Sequence, residues 1–185
     1  DTWWDLGIDD SMSIWFSQDV GREVHFIGYY ESRGEGLEFY ARILQEMITK
    51  WGGIYGKHTA PHDITVRELS TGKTRLATAS SLGIKFNVAQ RPAAKEDGIQ
   101  AVRNIFSICW FDEVSCQYGI DGLASYRSEY DEANRVQKRI PVHDWSSHPA
   151  DSFQTFALAH KFKGLTDSRN KARPIAPGAS SWMGL

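Results

Sequence analysis

The hydrophobic period of the chain changes near residue 36, and this change limits the folds that it can adopt. Apolar and polar residues alternate over 12–18, and short apolar runs cover 3–8 and 22–30. This pattern predicts three strands, with tight turns at 9–10 and 18–21. From Leu37 to Trp51 the apolar residues instead follow the i, i+3, i+4 spacing of an amphipathic helix, which two glycines end. We therefore expect an antiparallel meander followed by a helix.

The rest of the chain alternates short strands with helices. We predict a strand leading into a loop over 54–63, a small helix near 75–81, a strand over 84–88, a long helix over 99–110, a further helix around 123–130 and a last helix over 147–162. Strands joined through a helix pair in parallel, because a crossover needs a dozen or more residues. The predicted fold is α/β, a mixed five-stranded or larger sheet with helices on both faces, which is the ribonuclease-H-like arrangement.

Length and composition favour one folded domain. The chain has 185 residues, of which 41% are hydrophobic and 24% charged, and these ordinary values exclude disordered and collagen-like chains. No apolar run approaches the roughly 20 residues that span a bilayer, so we expect no membrane association. We expect the domain to cover residues 1–163. Residues 164–185 are rich in Gly, Pro, Ser and Arg, which predicts a flexible C-terminal tail.

The cysteines and the first residues predict a reduced, intracellular compartment. Cys109 and Cys116 are too few for a disulfide framework, and they lack the spacing of a zinc site. Cys109 falls on the apolar face of a predicted helix, which favours core packing. The opening residues are acidic and lack the basic and apolar regions of a signal peptide.

Charge is distributed unevenly along the chain, although the net charge is only −2. Residues 1–50 contain ten acidic and four basic residues, and residues 96–155 contain ten and five. Residues 51–95 contain seven basic and two acidic residues, and residues 156–185 contain five and one. Acidic segments that hold metal ions and basic segments that hold phosphates would give this distribution, as would chance clustering on a solvated surface.

Three aspartates stand where the predicted topology could bring them to one edge of the sheet. Asp5 lies in an otherwise apolar strand, where a buried carboxylate needs a cationic partner. Asp63 ends the next strand, and Asp151 opens the last helix with His148 three residues earlier on the same face. Alone, each could be a surface, capping or first-turn acid. Together, three neighbouring carboxylates require cations, and two Mg²⁺ or Mn²⁺ ions about 4 Å apart would satisfy them.

Four motifs occur in the order in which one known family has them. They are WDLGIDDS at 4–11, PHD at 61–63, GIQAVR at 98–103 and HDWSSHPADSF at 143–153. The first is similar to a first-strand DxG motif. The last is similar to an HDxxSHxADAF signature, with Ser152 in place of alanine. Through these motifs the chain resembles the C-terminal nuclease domain of the bacteriophage terminase large subunit, from residue 4 to about residue 155.

This resemblance implies an endonuclease that cuts double-stranded DNA with little sequence preference and uses two divalent ions, Mg²⁺ or Mn²⁺. Asp5 would be shared by both ions, Asp63 and Asp151 would each hold one side, and His148 would be an additional ligand or a neighbour of Asp151. Basic residues would contact phosphates rather than read bases. The candidates are Arg67, Lys73, Arg75, Lys85 and Arg91.

The resemblance also implies partners that belong to a longer protein. These are an N-terminal packaging ATPase domain, the small terminase subunit and the portal, on the procapsid in the host cytoplasm. The segment STGKT at 70–74 resembles the end of a P-loop, but that pattern needs glycine where the chain has Arg67. We therefore expect an excised nuclease domain, or a motor truncated before residue 1.

Two other functions stay open at this stage. A junction-resolvase type of ribonuclease-H-like nuclease would cut branched DNA as a dimer. A non-catalytic packaging-motor docking module would bind portal or DNA and keep only a vestigial metal site. Metal-dependent nicking of a plasmid separates the docking module from the two nucleases.

Overall fold

A computed structural model describes residues 1–7, 11–67, 72–132 and 135–161, so the predicted tail over 164–185 lies outside the described residues. The strands are β1 (Thr2–Asp5), β2 (Ser11–Val20), β3 (Glu23–Arg33), β4 (His58–Ala60), β5 (Phe86–Val88), β6 (Cys109–Phe111), β7 (Ser128–Asp131) and β8 (Val136–Pro141). The helices are α1 (Leu37–Trp51), α2 (Arg75–Ser81), α3 (Lys95–Ile105), α4 (Glu113–Ser125) and α5 (Ser147–Ala159). In the described part of the chain, no helix is long and apolar enough to cross a membrane.

Six of the strands form one mixed sheet in the order β5-β4-β1-β2-β3-β6. The first three strands form the predicted antiparallel meander, and Gly21 in the turn between β2 and β3 has a φ of 64°, which suits glycine. The pairs β1–β4, β4–β5 and β3–β6 are parallel. Helices therefore carry the chain between parallel strands, which confirms the predicted α/β mixed sheet.

The two faces of the sheet carry separate hydrophobic cores, because successive side chains of a strand point to opposite faces. Trp4 is fully buried on one face, where α1 packs. On the other face, Trp3 and Trp15 pack against Phe153 and Phe156 of α5. Helices thus cover both faces, as predicted, and α5 lies across β1 and β2.

The predicted C-terminal boundary of the long helix is wrong. Cys109 and Trp110 were expected on that helix, but α3 ends at Ile105 and a short 3₁₀ helix leads into β6. A short apolar run suits either a helix or a strand. Pairing with β3 decides the outcome, and it adds a sixth strand to the sheet.

The helix predicted around 123–130 is also misplaced. It begins ten residues earlier, where Asp112 accepts a hydrogen bond of 2.7 Å from the backbone N–H of Ser115 as an N-cap. It ends at Ser125, and β7 and β8 then form an antiparallel hairpin that the sequence pattern did not predict. This hairpin comes directly before the segment that leads into α5.

Two glycines allow α4 to approach the sheet and α5 closely. A Cβ atom at Gly119 would lie 2.4 Å from Cη2 of Trp15 and 2.8 Å from Cγ of Tyr29. A Cβ atom at Gly122 would lie 2.4 Å from Cγ of Pro149. The Trp15 ring has no room to retreat, because it is fully buried and donates an Nε1 hydrogen bond of 3.0 Å to the Pro149 carbonyl.

We expect Gly119→Ala to destabilise the protein, although alanine is favoured over glycine inside a helix by about 1 kcal/mol. Overpacking a core costs about 1–3 kcal/mol, and the close approach to the immobile Trp15 ring makes the overpacking cost the larger effect. Urea unfolding measures the difference. Gln117→Ala, at an exposed position of the same helix, should change stability by no more than about 0.5 kcal/mol. An equal or higher stability of Gly119→Ala would contradict the close packing.

Candidate functional site

Asp5 ends β1 at the carboxyl edge of the three parallel strands β1, β4 and β5. It shares a face of the sheet with Trp3, two residues earlier, and this is the face that α5 covers. Its Oδ2 atom lies 3.8 Å from Nδ1 of His148, and the two side chains are only 22% and 8% exposed. His148, when protonated, is therefore the cationic partner that the buried position of Asp5 requires.

Burial and the neighbouring acids shift the pKa of Asp5. Burial raises the pKa of Asp5 to about 6; interaction with His148 opposes the shift, and the carboxylates of Asp151 and Asp63 add to it. The structure thus brings the four predicted site residues to one edge of the sheet. They come from β1, from the segment after β4 and from the first turns of α5.

Asp63 lies beyond the strand end where it was expected. It is part of the 3₁₀ helix His62–Thr65 that follows β4. Its Oδ1 atom is buried and has no hydrogen-bond partner within the described ranges. An unpaired buried carboxylate oxygen is costly and rare in native proteins, so this atom is available to a ligand.

Asp151 is the fifth residue of α5, one turn inside the helix rather than at its opening. Its Oδ1 atom accepts hydrogen bonds from Nζ of Lys95 at 2.5 Å and from Nε2 of Gln154 at 2.9 Å. Burial lowers the pKa of Lys95, but Asp151, with smaller contributions from Tyr126 and Asp5, outweighs burial and the net shift of this pKa is upward. The sequence did not single out Lys95, because a lysine at the start of a helix carries no signal of its own.

The segment before α5 holds this helix in place. Asp144 Oδ1 accepts hydrogen bonds from the backbone N–H and the hydroxyl of Ser146, at 2.9 and 2.6 Å, and Asp144 Oδ2 lies 3.0 Å from Nη1 of Arg127. The hydroxyl of Ser13 on β2 donates to the His148 carbonyl at 2.8 Å. Much of the signature over 143–153 therefore orients His148 and the start of α5.

The donor atoms at this edge suit a hard divalent cation, because carboxylate oxygens select Mg²⁺ or Mn²⁺ over zinc. Within the described residues, no three His, Cys, Asp or Glu side chains come together around one point as ligands of a single ion. The unpaired Oδ1 of Asp63 and the partly exposed carboxylate of Asp5 are open to a cation, whereas Asp151 is engaged by Lys95.

The five predicted phosphate contacts do not form one patch. Arg67, Lys73 and Arg91 are exposed, and Arg91 follows β5 at the edge that carries the acids. Lys85 is exposed but precedes β5, so it lies at the opposite edge of the sheet. Arg75 is only 8% exposed, and this burial argues against the predicted contact with DNA.

The fold is similar to solved structures of phage terminases. The large terminase of a thermophilic bacteriophage, in complex with ADP, matches with a TM-score of 0.63 and 17% identity, over 85% of this chain but 38% of that one. The nuclease domain of the P22 large terminase matches with a TM-score of 0.56 and 13% identity, over 85% and 80% of the two chains. The nuclease domain of the SPP1 large terminase with bound Mn matches with a TM-score of 0.54 and 11% identity, over 84% and 85%.

No family model matches the sequence, and no curated protein matches it significantly. At identities of 11–17% the structural similarity establishes the fold. The chain has the fold of large terminase nuclease domains, which confirms the ribonuclease-H-like architecture that the sequence predicts. The chain spans well under half of the length of the ADP-bound large terminase.

We expect Asp5→Asn to stabilise the protein above pH 6 when no divalent ion is present. A carboxyl group whose pKa is raised in the folded state stabilises the fold fully at pH values below its pKa in the unfolded state. This stabilisation is lost as the pH rises through about 6. Asparagine carries no charge, so the variant should gain roughly 1–3 kcal/mol at pH 8 and much less near pH 4.

Urea unfolding in EDTA at the two pH values measures this difference. Asp121→Asn, at an exposed position of α4, is the matched control and should show no such gain. A gain of the same size at both pH values would mean that the charge of Asp5 is not the cause.

Proposed function

We propose that this chain is a metal-dependent DNA endonuclease domain of a phage packaging terminase. The observation that carries the proposal is the buried acidic edge, where Asp5 has a raised pKa and Asp63 has an unpaired carboxylate oxygen. The fold supports it, because the nuclease domain of the SPP1 large terminase has this fold and is known with bound Mn.

Asp5, Asp63 and Asp151 would hold two divalent ions, Mg²⁺ or Mn²⁺. Asp5 would be shared, because it ends β1, which pairs with β4 on one side and lies under α5. Two such ions, when bound, would supply Lewis-acid chemistry, which lowers the pKa of a water and neutralises charge on the leaving 3′ oxygen. His148 would hold the carboxylate of Asp5 in one orientation from 3.8 Å, since its own ring is nearly buried.

The substrate would be double-stranded DNA, bound with little sequence preference. Arg67, Lys73 and Arg91 are exposed cations, and Arg91 lies on the edge of the sheet where the acids lie. Backbone phosphates carry no sequence information, so contacts of this kind would position DNA without reading bases. Lys85 lies at the opposite edge of the sheet and Arg75 is buried, so neither is included among the proposed phosphate contacts.

The domain would act within a longer motor protein. We propose residues 1–163 as the nuclease domain, which would function beside an N-terminal packaging ATPase domain, the small terminase subunit and the portal. Such an assembly would work on the procapsid in the host cytoplasm. The chain covers 38% of the ADP-bound large terminase, which is consistent with one domain of such a motor protein.

The proposal predicts that the wild-type protein nicks and then linearises supercoiled plasmid with Mn²⁺ but not in EDTA. Asp63→Asn should slow cleavage by more than about tenfold, because it weakens a ligand. Asp121→Asn is the control on an exposed position and should cleave like the wild type.

The outcomes separate the three functions. Plasmid that is bound but never nicked would favour a docking module over an endonuclease. Cleavage confined to branched DNA, by a dimer, would favour a junction resolvase. If Asp63→Asn cleaved plasmid nearly as fast as the wild type, Asp63 would not be a metal ligand.

DNA binding should weaken when two of the exposed cations are removed. Arg67→Ala with Arg91→Ala should lower the affinity for two unrelated duplexes equally. The slope of log K against log salt should fall by roughly 2, which is one for each phosphate that the double variant no longer neutralises. Lys85→Ala, at the opposite edge, should leave the slope unchanged. Fluorescence anisotropy over a salt series measures both. A weaker affinity for only one duplex would mean that these residues read bases.

A further inference from the structure

Two neighbouring aromatic side chains are exposed beside the acidic edge. Trp145 lies between β8 and α5 and is 43% exposed, and Tyr118 on α4 is 51% exposed. Their ring centroids are 5.6 Å apart, so the two rings form a pair. A single exposed ring is ordinary, but a pair of rings next to a candidate active site is typical of a binding surface.

Both rings line an open cleft that reaches the acidic edge. The cleft has a volume of about 340 Å³, and its walls include Glu31 and His148. His148 is the residue whose ring lies 3.8 Å from the carboxylate of Asp5. The strand register gives the same placement, because Ser13 on β2 is paired with Asp5 on one side and with Glu31 on the other. A group bound in this cleft would therefore lie beside the candidate metal site.

The surrounding packing holds the two rings in place. Tyr118 stacks on Tyr29, with ring centroids 6.1 Å apart and planes at 18°, and Tyr29 packs on the fully buried Trp15. The turn that carries Trp145 is fixed by Asp144, whose Oδ1 accepts a backbone N–H hydrogen bond of 2.9 Å within the turn. The pair is thus pre-organised, so binding to it costs little conformational entropy.

The charges in the cleft favour a neutral group over a phosphate. Its walls carry the carboxylates of Glu31 and Asp144 and the guanidinium of Arg33, so it is not a basic groove. A nucleobase has no charge, and its aromatic face stacks on tryptophan or tyrosine. Bases inside a duplex are stacked on one another, so only an unpaired base can reach the two rings.

We propose that Tyr118 and Trp145 form a stacking platform for an unpaired base of the DNA strand that is cleaved. This inference rests on the proposed function and adds to it a preference for DNA that is locally unpaired at the acidic edge. Every base has an aromatic face, so such a platform tolerates any sequence. It therefore agrees with an endonuclease of little sequence preference.

A purely structural role of the two rings makes a different prediction. If the rings only pack against each other, the loss of Trp145 would change stability and would affect paired and unpaired DNA equally. A stacking platform instead changes the ratio of the two affinities. The ratio therefore separates the two roles.

The test compares two short duplexes of the same sequence, one fully paired and one with three unpaired thymines at its centre. Fluorescence anisotropy is measured with Ca²⁺ to neutralise the acids. The wild type should bind the unpaired duplex at least about tenfold more tightly. Trp145→Leu and Tyr118→Leu should each reduce this ratio to within about twofold of one. Trp145→Phe should keep most of the ratio, because it keeps an aromatic face.

Trp110→Leu is the matched control, because Trp110 is also an exposed tryptophan. It pairs with His25 on β3, and Glu31 lies six residues further along that strand, at a distance of about 20 Å. This variant should keep the wild-type ratio, and urea unfolding checks that each variant is folded. Equal affinities of the wild type for both duplexes, no binding of the unpaired duplex, or a folded Trp145→Leu or Tyr118→Leu variant with the wild-type ratio would overturn the platform.

Failure of the proposed function gives a different result. The affinity ratio does not depend on cleavage, whereas plasmid nicking with Mn²⁺ does not depend on the ratio. A wild-type protein that keeps the ratio but never nicks plasmid contradicts the endonuclease and supports the platform. A protein that nicks plasmid but binds both duplexes equally overturns the platform alone.

Discussion

The attachment of α5 to β1 and β2 is the interaction on which the candidate site depends. Trp15 donates to the Pro149 carbonyl and Ser13 to the His148 carbonyl, both inside a buried apolar face. Leaving either group unpaired would cost about 1–3 kcal/mol, so these two bonds hold the helix in one register on the strands. A slip by one residue would turn each side chain by about 100° around the helix axis and carry His148 away from Asp5.

That register places the carboxylates of the candidate site near one another. The hydrophobic packing on both faces of the sheet stabilises the fold against their repulsion. The pKa of Asp5 is raised mainly by burial and further by this repulsion. His148 faces the carboxylate of Asp5 and Lys95 pairs with that of Asp151, which leaves the buried oxygen of Asp63 without a partner in the described structure. A cation at this edge would neutralise the acids and would share the carboxylate of Asp151 with Lys95.

Prediction from the sequence succeeded where a local pattern determines the outcome. The alternation over 12–18 and the helical spacing from Leu37 to Trp51 identify β2 and α1, because each element has its own period and the periods differ. Prediction failed at Cys109, where a short apolar run suits helix and strand equally. Arg75 is buried whereas Lys73, two residues earlier, is exposed, and the basic pattern of the sequence did not distinguish the two positions.

The sequence by itself determined the meander and the helices that carry the parallel crossovers, since periodicity is a property of neighbouring positions. It also singled out Asp5, Asp63, His148 and Asp151 as candidate site residues from motif order. Only the tertiary structure decided that Lys95 meets Asp151, that β6 joins the sheet edge and that Lys85 lies far from the acids. These facts depend on contacts between segments that are distant along the chain. Such contacts follow from how helices pack on a sheet, and no local pattern of residues encodes that packing.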